Sequence, residues 1–190
     1  VKPRIIAVVF IMTVALAVPY MAIGEVTVRV TNLEEKVISA TYAWAAGNVG
    51  ATEGIYPDPD GFDFAAGPVN VLSVIERNSG KSLKWEIVAA RDNPLAQCVK
   101  VGYGEPIPDD HPFEVEITVE ARTDNITQDS LGRFVFSYTT GHSATFVLPE
   151  GHALIYSNYP VLIDEHSGLL TVRAPQAAMK ELVFKTRVLD

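Results

Sequence analysis

Apolar and polar residues alternate along most of the chain, and a period of two marks strands with one buried and one solvated face. Phe113, Val115, Ile117, Val119 and Ala121 interleave with Glu114, Glu116, Thr118, Glu120 and Arg122, which predicts one long amphipathic strand. Val26, Val28 and Val30 alternate with Glu25, Thr27, Arg29 and Thr31, and Ile38, Ala40, Tyr42 and Trp44 share one face of the next run. Leu83, Trp85 and Ile87 do the same after Asn78-Ser79-Gly80, a turn that joins them to the run from Val69 to Glu76 as a hairpin. Shorter strands are expected over 133–139, 143–148, 153–157, 169–174 and 182–188, separated by Thr140-Gly141, Pro149-Glu150-Gly151 and Ser167-Gly168. About ten strands punctuated by turns predict an all-β fold, an antiparallel β-sandwich. Only 176–180 hints at a helical turn. Without strand–helix alternation or a Gly-rich phosphate loop, a doubly wound nucleotide fold is excluded.

Two segments interrupt the period. Residues 46–68 hold Gly, Pro, Asp and aromatics in no sustained pattern, and a 23-residue excursion is several times the usual loop length, which points to function. The second, 104–112, carries three prolines and Asp109-Asp110-His111 and has the character of a linker. The strands before it would make only a thin core alone, so a single domain over 25–190 is expected.

The first residues differ from the rest. Lys2 and Arg4 precede a largely apolar run from Ile5 to Val18, followed by Pro19 and small residues, the order of a secretory signal. Ala22 and Gly24 are small side chains of the kind signal peptidase accepts, so residues 1–24 read as a signal peptide and the domain begins near Glu25. The alternative is an uncleaved anchor over 5–24, a stretch long enough to span a bilayer. Either reading makes the body exported, periplasmic or extracellular, with membrane contact only if the segment is retained.

Composition narrows the partners. The 190 residues carry 23 acidic and 15 basic groups, a net of −8; losing Lys2 and Arg4 leaves 13 basic against 23 acidic, a net of −10. An acidic chain without a Lys/Arg cluster is no phosphate-backbone binder, so nucleic acid is excluded as a partner. The length suffices for a core without staples, and 48% hydrophobic content excludes a disordered chain. Cys98 is the one cysteine, so no intramolecular disulfide forms, and it is expected inside a strand as a small core residue.

Candidate chemistry is sparse. Asp58, Asp60 and Asp63 lie in DPDGFD, an oxygen-rich turn of the type that holds calcium, though glycine is fourth, Phe62 fifth and Val69 twelfth where an EF-hand needs other residues. A solvated Asp-Pro turn is the competing reading. The histidines at 111, 142, 152 and 166 have no metal-ligand spacing and read as solvated turn residues. Gly141-His142-Ser143-Ala144-Thr145 approaches a nucleophile elbow, but Ser143 opens a strand instead of a helix and Thr145 replaces the final glycine. Trp44 and Trp85 fall on apolar faces and are expected in the core, whereas Tyr56, Phe62, Phe64 and Tyr103 are placed to contact a ligand. Asn125-Ile126-Thr127 is a glycosylation sequon.

The stretch FVLPEGHALIYSNYPVLIDEHSGLLTVRA, residues 146–174, resembles the strand, Leu-Pro-x-Gly, strand arrangement of exported immunoglobulin- or fibronectin-like β-sandwich modules, including those that precede M1-type peptidase domains. The resemblance implies a sandwich and transfers no functional residue. The expected function is a non-catalytic envelope or extracellular sandwich, an interaction or accessory subunit for another exported protein. The alternatives are a carbohydrate- or calcium-dependent binding module using residues 56–64, and a hydrolase.

Overall fold

The structure, a computed structural model, describes residues 23–45, 49–56, 69–89, 97–109, 113–139, 143–174 and 181–188. None of these residues is helical; they form strands joined by turns, bends and irregular stretches. In chain order the strands are β1 (Ile23–Asn32), β2 (Val37–Ala45), β3 (Glu53–Tyr56), β4 (Asn70–Glu76), β5 (Lys81–Ser82), β6 (Lys84–Ala89) and β7 (Gln97–Gly102). The second half adds β8 (Glu114–Arg122), β9 (Ile126–Gln128), β10 (Phe134–Thr139), β11 (Ala144–Val147), β12 (His152–Ser157), β13 (Leu162–His166), β14 (Leu169–Ala174) and β15 (Glu181–Val188). The expected signal segment and the hint of a helical turn at 176–180 lie outside the described residues.

An eight-stranded sheet runs in the order β13-β14-β11-β1-β2-β8-β4-β5, beside a four-stranded sheet β12-β15-β10-β9 and a three-stranded sheet β3-β7-β6. The alternation read from the sequence fixes the inner face of the long sheet. Val26, Val28 and Val30 of β1, Ile38, Ala40, Tyr42 and Trp44 of β2, and Val115, Ile117, Val119 and Ala121 of β8 are all buried. Its outer face is polar: Thr41 and Thr118 meet hydroxyl to hydroxyl at 3.1 Å, and Arg77 reaches Glu25, Glu114 and Glu116 at 3.7, 3.2 and 3.8 Å.

The expected antiparallel sandwich of about ten strands needs correcting in two respects. The long sheet is mixed, because β1 pairs in parallel with β11, Val26 opposite Ala144 through Arg29 opposite Val147. There are also fifteen strands among the described residues. Alternation tells a strand which face to bury but not which strand lies beside it, and β3, β5 and β9, with 4, 2 and 3 residues, are too short to show a period. The proposed hairpin is also cut short. Glu76 pairs with Lys81 across the turn as expected, but at Leu83, whose N–H donates to Val74 O at 2.9 Å, the chain leaves this sheet and β6 pairs with β7 instead.

The smaller sheets cover the inner face at two places. Beneath the four-stranded sheet, Phe136 stacks on Phe184 at 4.6 Å between ring centres and Phe184 meets Phe146 of the long sheet at 5.1 Å. Beneath the three-stranded sheet, Trp44 of β2 meets Tyr56 of β3 at 5.4 Å. The buried residues form one cluster drawing on strands from both sides of 104–112. The described part of that segment, 104–109, is no free linker: Ile107 is buried, its N–H donates to Ala51 O and its own carbonyl accepts the Gly50 N–H. Nor is 46–68 wholly irregular, since β3 lies within it and pairs with β7.

Two local features yield predictions. Thr145 on β11 is buried and its hydroxyl has no hydrogen-bond partner among the described residues. A buried unpaired hydroxyl costs free energy that an isosteric methyl does not, so Thr145→Val is expected to stabilise by about 1 kcal/mol. A raised urea midpoint at unchanged slope is the expected reading; a lowered midpoint would show the hydroxyl to be satisfied. In the turn between β9 and β10, the Asp129 carboxylate accepts Arg133 Nε at 2.7 Å and the N–H groups of Leu131 and Arg133 at 2.9 and 3.2 Å. The bond from Arg133 is the main cause that brings its pKa down from 3.8 to about 2. Because the folded value is depressed, this stabilisation is present above the unfolded pKa and is lost as pH falls toward the folded one. Melting temperatures of the wild type and Asp129→Asn should therefore differ at neutral pH and converge between pH 4 and pH 2. A constant difference across that window would remove Asp129 as the cause.

Candidate functional site

Tyr56 closes β3 and Tyr103 follows β7, and pairing of the two strands brings their hydroxyls to 2.9 Å. Both rings are inside, with exposures of 0% and 3%. The reason lies in parity: Tyr56, Val99 and Val101 occupy the inner face of the three-stranded sheet, against Trp44. Burial, followed by the shared hydrogen bond, raises the Tyr56 pKa, and burial raises that of Tyr103. Both phenols stay protonated at neutral pH and tie β3 to the end of β7.

Tyr103 also lines a cavity of about 500 Å³, together with Leu83, Pro106, Pro108, Phe113 and Glu76. Glu76 is buried at the end of β4. Desolvation alone would raise its pKa, but hydrogen bonds from Ser79 and Asn78 outweigh that and hold the carboxyl below its ordinary value. Its two oxygens accept the N–H groups of Asn78 at 2.9 Å and Ser79 at 2.7 Å. This carboxylate shapes the β4–β5 turn, and both of its oxygens are already engaged.

The other face of interest is the open edge of the three-stranded sheet. Trp85 lies beside Val101 and Gly54, and Ile87 beside Val99 and Tyr56, so parity does assign both to the core-facing side, as read from the sequence. Their burial is another matter: Trp85 is 41% and Ile87 40% exposed, whereas Trp44 is 1% exposed. The expectation of a core Trp85 is corrected: β6 is an edge strand, paired on one side only, and the indole is left partly exposed. On the opposite side of the same strands, Lys100 bridges Glu53 at 3.0 Å and Glu86 at 3.7 Å.

No protein-family model matches the chain, and no curated protein sequence matches it. Among solved structures, the M1 zinc metallopeptidase from Deinococcus radiodurans aligns with 87% of this chain and 42% of its own, at 12% identity and a TM-score of 0.52. A mutant of a two-domain M1 zinc metallopeptidase bound to L-arginine aligns over the same shares at 12% identity and a TM-score of 0.51. What is shared is the fold. This chain spans less than half the length of these structures, and at such identity no residue of theirs carries over. The all-β fold resembles a β-sandwich domain, and the modules that precede M1-type peptidase domains were among the exported sandwich modules that the stretch 146–174 resembles.

The remaining sequence candidates are placed unequally. Asp58, Asp60, Asp63, Phe62 and Phe64 lie outside the described residues, as do His111 and His142. His152 is not the solvated turn residue expected: it opens β12, half-buried, its ring 5.7 Å from Phe134 and its Nδ1 3.4 Å from Thr186 Oγ1. Burial lowers its pKa. His166 is exposed at the end of β13. Ser143 does lead into a strand, β11, as read, and Cys98 lies half-buried in β7. No group of three or more His, Cys, Asp or Glu able to hold a metal exists among the described residues.

Proposed function

We propose that this chain is a non-catalytic, exported β-sandwich that works as an interaction module, docking another protein chain at the open side of its three-stranded sheet. One observation carries the reading: Trp85 and Ile87 belong to the core-facing side of that sheet yet stand 41% and 40% exposed. An aromatic anchor on an uncovered sheet face is the composition of an interface centre, where Trp is enriched and most binding energy is concentrated. The fold matches M1 peptidase structures over less than half of their length, which supports a domain that works beside other structure. The signal-like order of residues 1–24 supports an exported location. The test is capture of the tagged full-length chain from its native envelope, with co-purifying proteins identified by mass spectrometry and Trp85→Ser run in parallel. A stoichiometric bound chain, a second copy included, that is lost in Trp85→Ser supports the reading. A monomer that recovers no protein, or a partner indifferent to Trp85, overturns it.

A further inference from the structure

β13 and β14 form a hairpin whose two-residue turn, Ser167-Gly168, has both residues left-handed, with φ of 52° and 78°. In such a turn the flanking pair, His166 and Leu169, exchanges both backbone bonds, and bonded pairs then recur at every second residue, Asp164 with Thr171 and Leu162 with Arg173. The N–H and C=O groups of Ile163 and Glu165 therefore point the other way, to a side where no strand pairs with β13 among the described residues. This puts four unpaired backbone groups at one edge of the eight-stranded sheet, along a run without proline, glycine or bulge.

Ile163 lies opposite Val172 and Glu165 opposite Leu170, so both belong to the core side, whereas Leu162 and Asp164 face outward with Arg173 and Thr171. Ile163 is nonetheless 55% and Leu162 66% exposed. A cavity of about 390 Å³ adjoins this edge, lined by His152 and Leu154 of β12, Ile163 and Glu165 of β13, and Leu170 of β14. β13 carries two adjacent carboxylates, Asp164 and Glu165, and no Lys or Arg. The cation across the hairpin, Arg173, lies 3.7 Å from Glu25. A second β13 fits poorly, since antiparallel pairing about the central residue sets Asp164 against Asp164. A purely apolar strand fits no better, because it would set no counter-charge beside the inward carboxylate of Glu165.

We infer that β13 takes up an extended basic segment of another protein as an added strand of the long sheet. In antiparallel pairing, the incoming residues opposite Glu165, Asp164, Ile163 and Leu162 follow one another in the order basic, basic, apolar, apolar. The first and third of them exchange backbone bonds with Glu165 and Ile163 and turn their side chains to the core side. Backbone bonds supply the affinity and the side chains the choice, the usual division in strand addition. The carboxylates that repel a second copy are the groups that admit the basic strand. This surface is separate from the three-stranded sheet and does not depend on Trp85.

A dye-labelled peptide, Thr-Lys-Lys-Ile-Leu-Thr, added to the full chain tests this by fluorescence anisotropy and amide hydrogen exchange. The wild type is expected to bind it, more weakly as salt rises, with slowed exchange at the Ile163 and Glu165 amides. The same peptide N-methylated at its first Lys and its Ile keeps every charge and side chain but cannot donate to the edge, so binding should be lost. Asp164→Lys combined with Glu165→Lys sets like charges opposite at two positions and should weaken binding by about tenfold or more at an unchanged melting temperature. If that variant fails to fold, the N-methylated peptide decides the matter, since it needs no substitution in the chain. Trp85→Ser should bind the peptide as the wild type does. No binding at millimolar peptide, equal binding of the N-methylated peptide, or full affinity in the folded charge-reversed variant overturns the inference. Protection on β6 instead of β13, with binding lost in Trp85→Ser, overturns it too, but leaves the docking surface on the three-stranded sheet standing.

Discussion

Replacing Phe184 by Ala is expected to lower stability by about 3–5 kcal/mol, the cost of deleting a fully buried aromatic ring and leaving a cavity. Phe184 is 0% exposed and sits where two sheets meet: it stacks on Phe136 within the four-stranded sheet and touches Phe146, which belongs to the eight-stranded one. Tyr138 closes the group at 6.5 Å. Stability of a domain this size is roughly 5–15 kcal/mol, so the loss is a large share of the total and much of the chain would be unfolded at moderate temperature. Leu131→Ala provides the contrast. That side chain is 72% exposed in the β9–β10 turn, and its removal should change stability by less than about 0.5 kcal/mol. Chemical denaturation of the pair measures both. A Phe184→Ala cost near 1 kcal/mol would mean that the surrounding rings collapse into the space, and that the joint between the sheets is plastic.

Much of the long sheet was legible because its strands run long enough to show a period. β8 has nine residues whose apolar set returns at every second position, and its inner face matches the reading side chain by side chain. What joins β1 to β11 was not legible. Four residues of β11 pair with β1 far away in the chain, and both β11 neighbours are set by packing at a distance. The same limit governs β3. Glu53-Gly54-Ile55-Tyr56 has no local strand signature, and it becomes a strand only because β7 lies alongside.

The candidate site shows how parity and exposure part company. The sequence assigns Trp85 and Trp44 to apolar faces alike, and the register confirms the face of each. Trp44 belongs to β2, which has β1 and β8 on its flanks, whereas Trp85 belongs to a strand paired on one side only. An edge is a property of the sheet, not of the strand, and no local pattern announces it. Tyr56 and Tyr103 depart in the opposite direction. Tyr56 in the long irregular stretch and Tyr103 beside Gly104 read as free of the core, but each hydroxyl finds the other, which offsets the cost of burying it. That pairing exists only once β3 and β7 are in register.

The Tyr56–Tyr103 contact also makes Gly54 the most sensitive glycine among those described. A Cβ placed on Gly54 would overlap the Tyr103 hydroxyl and come within 3.0 Å of the ring carbon bearing it and 3.3 Å of Tyr56 Cε2. Gly54→Ala should therefore cost about 2–3 kcal/mol, combining overpacking with loss of a buried hydrogen bond. Tyr103→Phe removes the overlapping oxygen and alone should cost about 1 kcal/mol by leaving the Tyr56 hydroxyl unpaired. The double variant decides how the strain is carried. If the ring is held fixed by Phe113, 5.1 Å away, the two changes overlap in effect and their combined cost falls short of the sum by about 1 kcal/mol. Strict additivity would mean that the Tyr56–Tyr103 hydrogen bond survives in Gly54→Ala, with the strands shifting together to make room for the new methyl.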